Sequence, residues 1–162
     1  MSRIGILLGL TLLGSAAFAP SDGVETSAQK EEAMTARGTF EVKVEPQPAD
    51  EGAGPFGRLL LSKQFHGDLE GSSQGQMLGA QTAVEGSGAY VALELVTGTL
   101  QGKRGSFMLQ HNGTMRKGDY KMNVTVVPDS GTEALTGISG KMTIVIEGKK
   151  HSYELEYTLG GI

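Results

Sequence analysis

From Arg37 onward, hydrophobic and polar residues alternate with period two through most of this 162-residue chain. Phe40, Val42 and Val44 alternate with Thr39, Glu41, Lys43 and Glu45, the pattern of a strand with one buried face, and Pro46 and Pro48 end it. The same spacing predicts strands near Gly57 to His66, Leu69 to Ala80, Ala89 to Leu100, Gly105 to Met115, Tyr120 to Val127, Lys141 to Glu147 and His151 to Leu159. Turn chemistry punctuates them at Glu70-Gly71, Gly86-Ser87-Gly88, Gly102-Lys103, Lys117-Gly118-Asp119, Pro128-Asp129-Ser130-Gly131 and Gly148-Lys149. Only Gly131 to Leu135 offers a turn of helix, with Thr132 placed to cap it. A parallel sheet needs amphipathic crossover helices, and their absence from the pattern excludes Rossmann and hydrolase architectures. The expectation is all-β: one antiparallel barrel, or closed sandwich, of about eight short strands that leaves no sticky edge.

The N-terminus breaks the alternation. Arg3 precedes the apolar run Ile4 to Leu13 and the small residues Gly14, Ser15, Ala16 and Ala17. That order predicts a signal peptide over residues 1–17, too short for a transmembrane span of about 20 residues. Cleavage after Ala17 is preferred to cleavage after Ala19, where Pro20 would follow the cut; retention as an anchor is the alternative. Residues 18–35 are polar and poor in aromatics, which predicts a disordered linker, and the barrel domain is assigned to residues 36–162. The expected location is secreted or periplasmic.

Composition narrows the function. A formal charge of −4, with basic residues confined to short clusters such as Lys103-Arg104, Arg116-Lys117 and Lys149-Lys150, argues against nucleic acid. Apart from the leader, nothing points to a membrane. With no cysteine there is no disulfide and no thiolate nucleophile. Glycine, at 25 residues, is far above its usual ~7% share without a collagen period, which fits tight turns and bulges.

Short motifs weaken once set on strands. Gly71-Ser72-Ser73-Gln74-Gly75 has the form of a nucleophile elbow, with Asp129 and His151 following in hydrolase order, but Gln76 to Ala80 shows no helical face. Gly52 to Gly57 fits G-x-G-x-x-G, yet contains Pro55 and precedes a strand. Asn112-Gly113-Thr114 and Asn123-Val124-Thr125 are glycosylation sequons inside predicted strands. His66, Asp68 and Glu70 would share a side if the chain stayed extended, but Gly67 and Gly71 suggest a turn. No metal site and no cofactor are assigned.

The remaining chemistry lies on inward faces. His111 shares a face with Phe107 and Leu109; Glu94 shares one with Tyr90 and Ala92; His151, Tyr153, Leu155 and Tyr157 share another. His111, Glu94, Tyr90, Tyr153 and Tyr157 are the candidate lining of a small-ligand cavity, and a buried carboxylate near a histidine is a candidate acid–base pair. The structural alternative stands beside it: a barrel of this size is also filled by its own side chains. No residue is assigned as catalytic.

Taken together, Gly38 to Val42, FHGDLEGSSQGQM from Phe65 to Met77, Gly88 to Ala92, GSFMLQHNGTM from Gly105 to Met115, VVPDSGT from Val126 to Thr132, and Leu135 to Gly140 resemble an uncharacterised bacterial family. It is a domain-of-unknown-function family similar to the small barrels of the allene oxide cyclase and dirigent group. The resemblance covers roughly Ala36 to Leu159 and implies an allene oxide cyclase-like barrel with a hydrophobic cavity for a lipid-like or phenolic molecule. Fold does not fix function. The primary expectation is a non-enzymatic binder of a small apolar ligand or a structural module. The alternative is a cyclase- or isomerase-like enzyme using His111 and Glu94 to handle protons. A small apolar ligand and a homo-oligomer are the partners this leaves open.

Overall fold

The computed structural model describes residues 32–49, 51–52 and 54–160. The leader assignment and most of the linker assignment, residues 1–31, lie outside these described residues. Eight strands follow one another: β1 Met34–Pro46, β2 Phe56–Gly67, β3 Leu69–Gln81, β4 Gly88–Leu100, β5 Lys103–Arg116, β6 Asp119–Val126, β7 Ile138–Glu147 and β8 Lys150–Leu159. Each pairs antiparallel with the next, and β8 returns to β1, closing a barrel. The first strand starts two residues before the expected domain boundary, because Met34 and Thr35 already pair with Tyr157 and Glu156 of β8.

Closure is staggered. Hydrogen-bonded partners followed once round, from Ala36 through Leu155, Met142, Val124, His111, Ala92, Met77 and Leu59, return to β1 at Pro46, ten residues further on. With about 3.3 Å per residue and about 4.8 Å between strands, that stagger tilts the strands by about 40°. It also brings together inward residues that are far apart along any one register line.

Local chemistry explains the tight connections. At the β4–β5 hairpin Gln101 and Gly102 both have positive φ (46° and 81°), and at the β5–β6 hairpin so do Lys117 and Gly118 (50° and 92°). Two consecutive left-handed residues form the turn whose twist matches paired strands, and glycine adopts that conformation without steric cost. Across β3, β4 and β5, Gly71, Gly98 and Gly105 lie in one inward row. A Cβ at Gly71 or Gly98 would collide with the neighbouring strand's backbone, and one at Gly105 with Thr132 and Leu135.

The lower half of the barrel is packed solid. Phe65, Leu69, Leu100, Phe107, Leu109, Leu155 and Tyr157 are almost fully buried in one cluster with Leu135 and Ile138. Burying a side chain of this size contributes ~1.5–3 kcal/mol, so this half dominates stability. Leu135 arrives on the 3₁₀ turn Glu133–Leu135, which plugs that end. Thr132 precedes the turn but makes no side-chain cap; its Oγ1 instead accepts the Ser106 N–H at 3.0 Å. The capping expectation is corrected accordingly: β5 claims the hydroxyl first.

The upper half is open. Inward-facing side chains there become progressively exposed: along β7, Met142 is buried, Ile144 half-buried and Ile146 53% exposed, while Val44 on β1 reaches 44%. Two seams part here: β6–β7 pairs only at Val124–Met142 and Thr125–Lys141, leaving Asp119–Asn123 and Thr143–Glu147 without a partner across it, and β1 has no β8 partner beyond Phe40. Among the described residues, no helix is long and apolar enough to cross a membrane.

Candidate functional site

Where the packed half meets the open half, the barrel carries charge. Alternation on β2 turns Leu59, Leu61, Lys63 and Phe65 inward, and on β4 it turns Tyr90, Ala92, Glu94 and Val96 inward. Lys63 and Glu94 are separated by β3, where the inward neighbours are Ser73 and Gly75. The missing side chain at Gly75 leaves room for the pair to meet over it. Lys63 Nζ donates to Glu94 Oε2 at 2.7 Å, with the side chains 5% and 0% exposed. The ammonium also lies over the rings of Phe40 (5.0 Å) and Phe65 (5.8 Å), whose negative faces supply further electrostatic stabilisation.

From the next strand, His111 brings Nε2 to 3.2 Å from the same Oε2, without the alignment of a hydrogen bond. Burial by itself would raise the Glu94 pKa. The adjacent His111 and the Lys63 charge outweigh burial and lower it to about 2, so the carboxylate is ionised across the physiological range. Among the described residues Glu94 Oε1, His111 Nε2 and Ser73 Oγ make no well-aligned hydrogen bond, although His111 and Ser73 both lie close enough to stabilise the Glu94 carboxylate. A carboxylate oxygen has two lone pairs, and leaving one face of the carboxylate without a donor is costly.

Above the charge, the mouth is apolar apart from two phenols and His151, which register sets beside Ile146. Tyr90 lies flat across Gly113, where any Cβ would strike its ring. This brings Tyr90 parallel to Tyr120, with centroids 6.4 Å apart and the Tyr120 hydroxyl donating to Tyr90 Oη at 2.9 Å. Burial, and then this hydrogen bond, raise the Tyr90 pKa, so the phenol stays neutral. Met77, Met115 and Met122 also face inward here and are half-buried.

The remaining sequence candidates lie elsewhere. Tyr153 and Tyr157 point inward, but into the packed half. Tyr153 Oη accepts the Leu69 N–H at 2.9 Å, and Tyr157 Oη donates to Gln101 Oε1 at 2.8 Å. Both hydroxyls hold the lower end of the fold together. His151 alone of these reaches the open end, beside Ile146 and against the ring of Phe40 on β1, centroids 5.1 Å apart. In the β2–β3 loop, Asp68 accepts the Arg37 N–H and Glu70 accepts the Gly67 N–H, while His66 Nδ1 lies 3.5 Å from Glu70 Oε2. That loop's donors and acceptors are used in holding the turn.

Residues 36–157 match the family described as "Protein of unknown function (DUF3224)". The chain belongs to the DUF3224 family. A crystal structure of a DUF3224 protein of unknown function from Shewanella oneidensis MR-1, at 1.84 Å resolution, is 46% identical; the match covers 81% of this chain and all of that one, with a TM-score of 0.75. No curated protein matches. The DUF3224 match begins at Ala36 and ends at Tyr157, both inward residues of the paired β1 and β8, so it spans the barrel.

Within the DUF3224 barrel, alternation alone identifies His111 and Glu94 as inward, and the β4–β5 register brings them together. Sequence reasoning missed Lys63. Its inward phase is readable from Leu61 and Phe65, but the run Leu59-Leu60-Leu61 hides the alternation just before it. Ser73 was read only as the centre of a nucleophile-elbow pattern; in the structure it is a mid-strand residue turned inward beside Glu94.

Proposed function

We propose that this DUF3224 barrel is a non-enzymatic binding module that takes a small, largely apolar molecule into its open half, above the Lys63–Glu94–His111 floor. One observation carries the reading: side chains that alternation points into the barrel become solvent-exposed toward one end only, and most of them are apolar. A packed core hides such residues, whereas a binding cup presents them, with a few polar groups at its base to orient the ligand. Glu94 Oε1, an unpartnered acceptor, suits a hydroxyl or N–H group at the leading end of the ligand. The leader-like order of residues 1–17 supports a site of action outside the cytoplasm.

The cyclase or isomerase alternative asks Glu94 and His111 to exchange protons near neutral pH. A carboxyl held at about 2 by His111 and the buried Lys63 charge is a weak base and is not protonated to act as an acid. The same charges serve better as a fixed polar floor.

Native mass spectrometry of the gently purified full chain tests the proposal. A small-molecule adduct is expected, and it should disappear in Ala92→Phe, which fills the cup beside His111. A chain that carries no adduct and takes up none of the neutral fluorophore N-phenyl-1-naphthylamine would refute it.

A further inference from the structure

The open mouth has a cleft whose two sides fit each other. β6 and β7 pair at Val124–Met142 and Thr125–Lys141, and among the described residues their facing edges are unpaired above that point. The same register carried upward sets Asn123 against Thr143, Met122 against Ile144, Lys121 against Val145, Tyr120 against Ile146 and Asp119 against Glu147. It reaches the first residue of β6 and the last of β7 together, so the two edges are equal in length and in phase. Its inward pairs set a thioether and an aromatic ring against isoleucines, and Ile146 is 53% exposed while the cleft is open. On the other side of the hairpin, one further step of the β8–β1 register sets Lys150 against Glu41. β7 is paired with β8 along its whole length, and β8 with β1 as far as His151–Phe40, so closing the cleft needs a swing of the β7–β8 tip and no broken bond.

We propose that the β7–β8 tip is a lid: the cleft between Asp119–Asn123 and Thr143–Glu147 zips shut in this register once an apolar molecule fills the cup. The lid rests on the cup reading for its trigger, whereas its geometry stands on the register alone. An unpaired edge offers N–H and C=O groups to any strand that matches it, and here the matching strand is the barrel's own. Two forces oppose closure in the empty protein. Drawing Ile144 and Ile146 over an empty cup leaves them facing a void, and an apolar ligand removes that cost by touching both. Charge opposes it too. In the closed register Arg116, Asp119, Glu147, Lys150 and Glu41 stand in one outward row across five strands, alternating in sign except where Asp119 meets Glu147. That like-charged pair lies on the cleft itself and works against pairing there. A ligand shifts the balance only by touching the closed form more than the open one, and the two isoleucines supply the difference.

Amide hydrogen exchange on the full-length chain, read residue by residue by NMR, tests the lid. In the free protein alternate amides of residues 119–123 and 143–147, those facing the cleft, should exchange at close to unprotected rates. Saturation with N-phenyl-1-naphthylamine should slow them by about tenfold or more. Glu147→Gln, with no ligand present, removes the like charge and should slow them about two- to five-fold. Since the chain has no cysteine, the register is also open to crosslinking: Lys121→Cys, Val145→Cys should form its disulfide faster with the fluorophore bound than without, and faster than the out-of-register Lys121→Cys, Thr143→Cys. Fluorophore uptake with the cleft amides unchanged, or equal crosslinking of the two pairs, would overturn the lid and leave the cup standing. If no fluorophore enters, the cup reading falls and Glu147→Gln decides the lid alone, supported by slowed exchange and overturned by none.

Discussion

Lys63 and Glu94 meet inside the barrel from strands separated by β3, Nζ to Oε2 at 2.7 Å, over a glycine that clears the space between them. Two opposite charges out of water are tolerated because each answers the other, so removing one partner is worse than removing both. Lys63→Met and Glu94→Gln should each lose ~3–5 kcal/mol in denaturant unfolding, while the double variant Lys63→Met, Glu94→Leu regains most of it. If both single variants unfold with the parent's midpoint, the pair is not buried as described.

Acid should weaken the fold through the same carboxyl. The Glu94 pKa is lowered from an ordinary 4.5 to about 2 in the folded chain, so its contribution to stability is complete above 4.5 and is lost as pH falls toward 2. The shift corresponds to about 3 kcal/mol across that window. Unfolding free energies measured from pH 6 to 2.5 should decline, and Glu94→Gln should flatten part of that decline. An identical pH slope in the variant would assign the acid sensitivity to other carboxylates.

Tyrosines of the two halves should behave differently. Tyr153→Phe removes the acceptor of the buried Leu69 N–H and should cost ~1–3 kcal/mol without changing uptake of N-phenyl-1-naphthylamine. Tyr90→Phe should alter uptake of the fluorophore while leaving the unfolding midpoint within about 1 kcal/mol of the parent, since its partner Tyr120 is exposed. Reversed effects would mean that the two ends of the barrel have been assigned the wrong way round.

Glycines at two places should respond unequally to alanine. At Gly38 a Cβ would strike the backbone oxygen of His66 as well as the Tyr153 hydroxyl, and a backbone cannot swing away. At Gly113 the obstacle is the Tyr90 ring at the open mouth, which can move. Gly38→Ala should therefore lose at least the ~1–3 kcal/mol typical of overpacking, and Gly113→Ala less, with near-ultraviolet circular dichroism reporting the broken Tyr90–Tyr120 stack. Equal losses would contradict the account of the mouth.

The strands were legible because alternation persists through nearly all of them, and the barrel followed from turn chemistry and the lack of crossover helices. What the sequence does not display is stagger. That Glu94 touches His111 depends on β4 and β5 pairing Ala92 with His111, one step off the contact itself. The open half depends on a seam of two residue pairs between β6 and β7, and neither strand's composition announces where pairing stops. Tyr153 and Tyr157 were legible as inward but not as belonging to the packed end, because height along the barrel is fixed by tilt rather than by residue type.

Methyl NMR on chain labelled with ¹³C at methionine methyls tests the central claim most directly, since Met77, Met115 and Met122 face the open half, Met142 is packed below, and Met108 is on the outer wall. Titration with N-phenyl-1-naphthylamine should shift the resonances of Met77, Met115 and Met122 and leave Met142 and Met108 in place. Shifts confined to Met108, or none at the three mouth methionines, would contradict a binding cup inside the barrel.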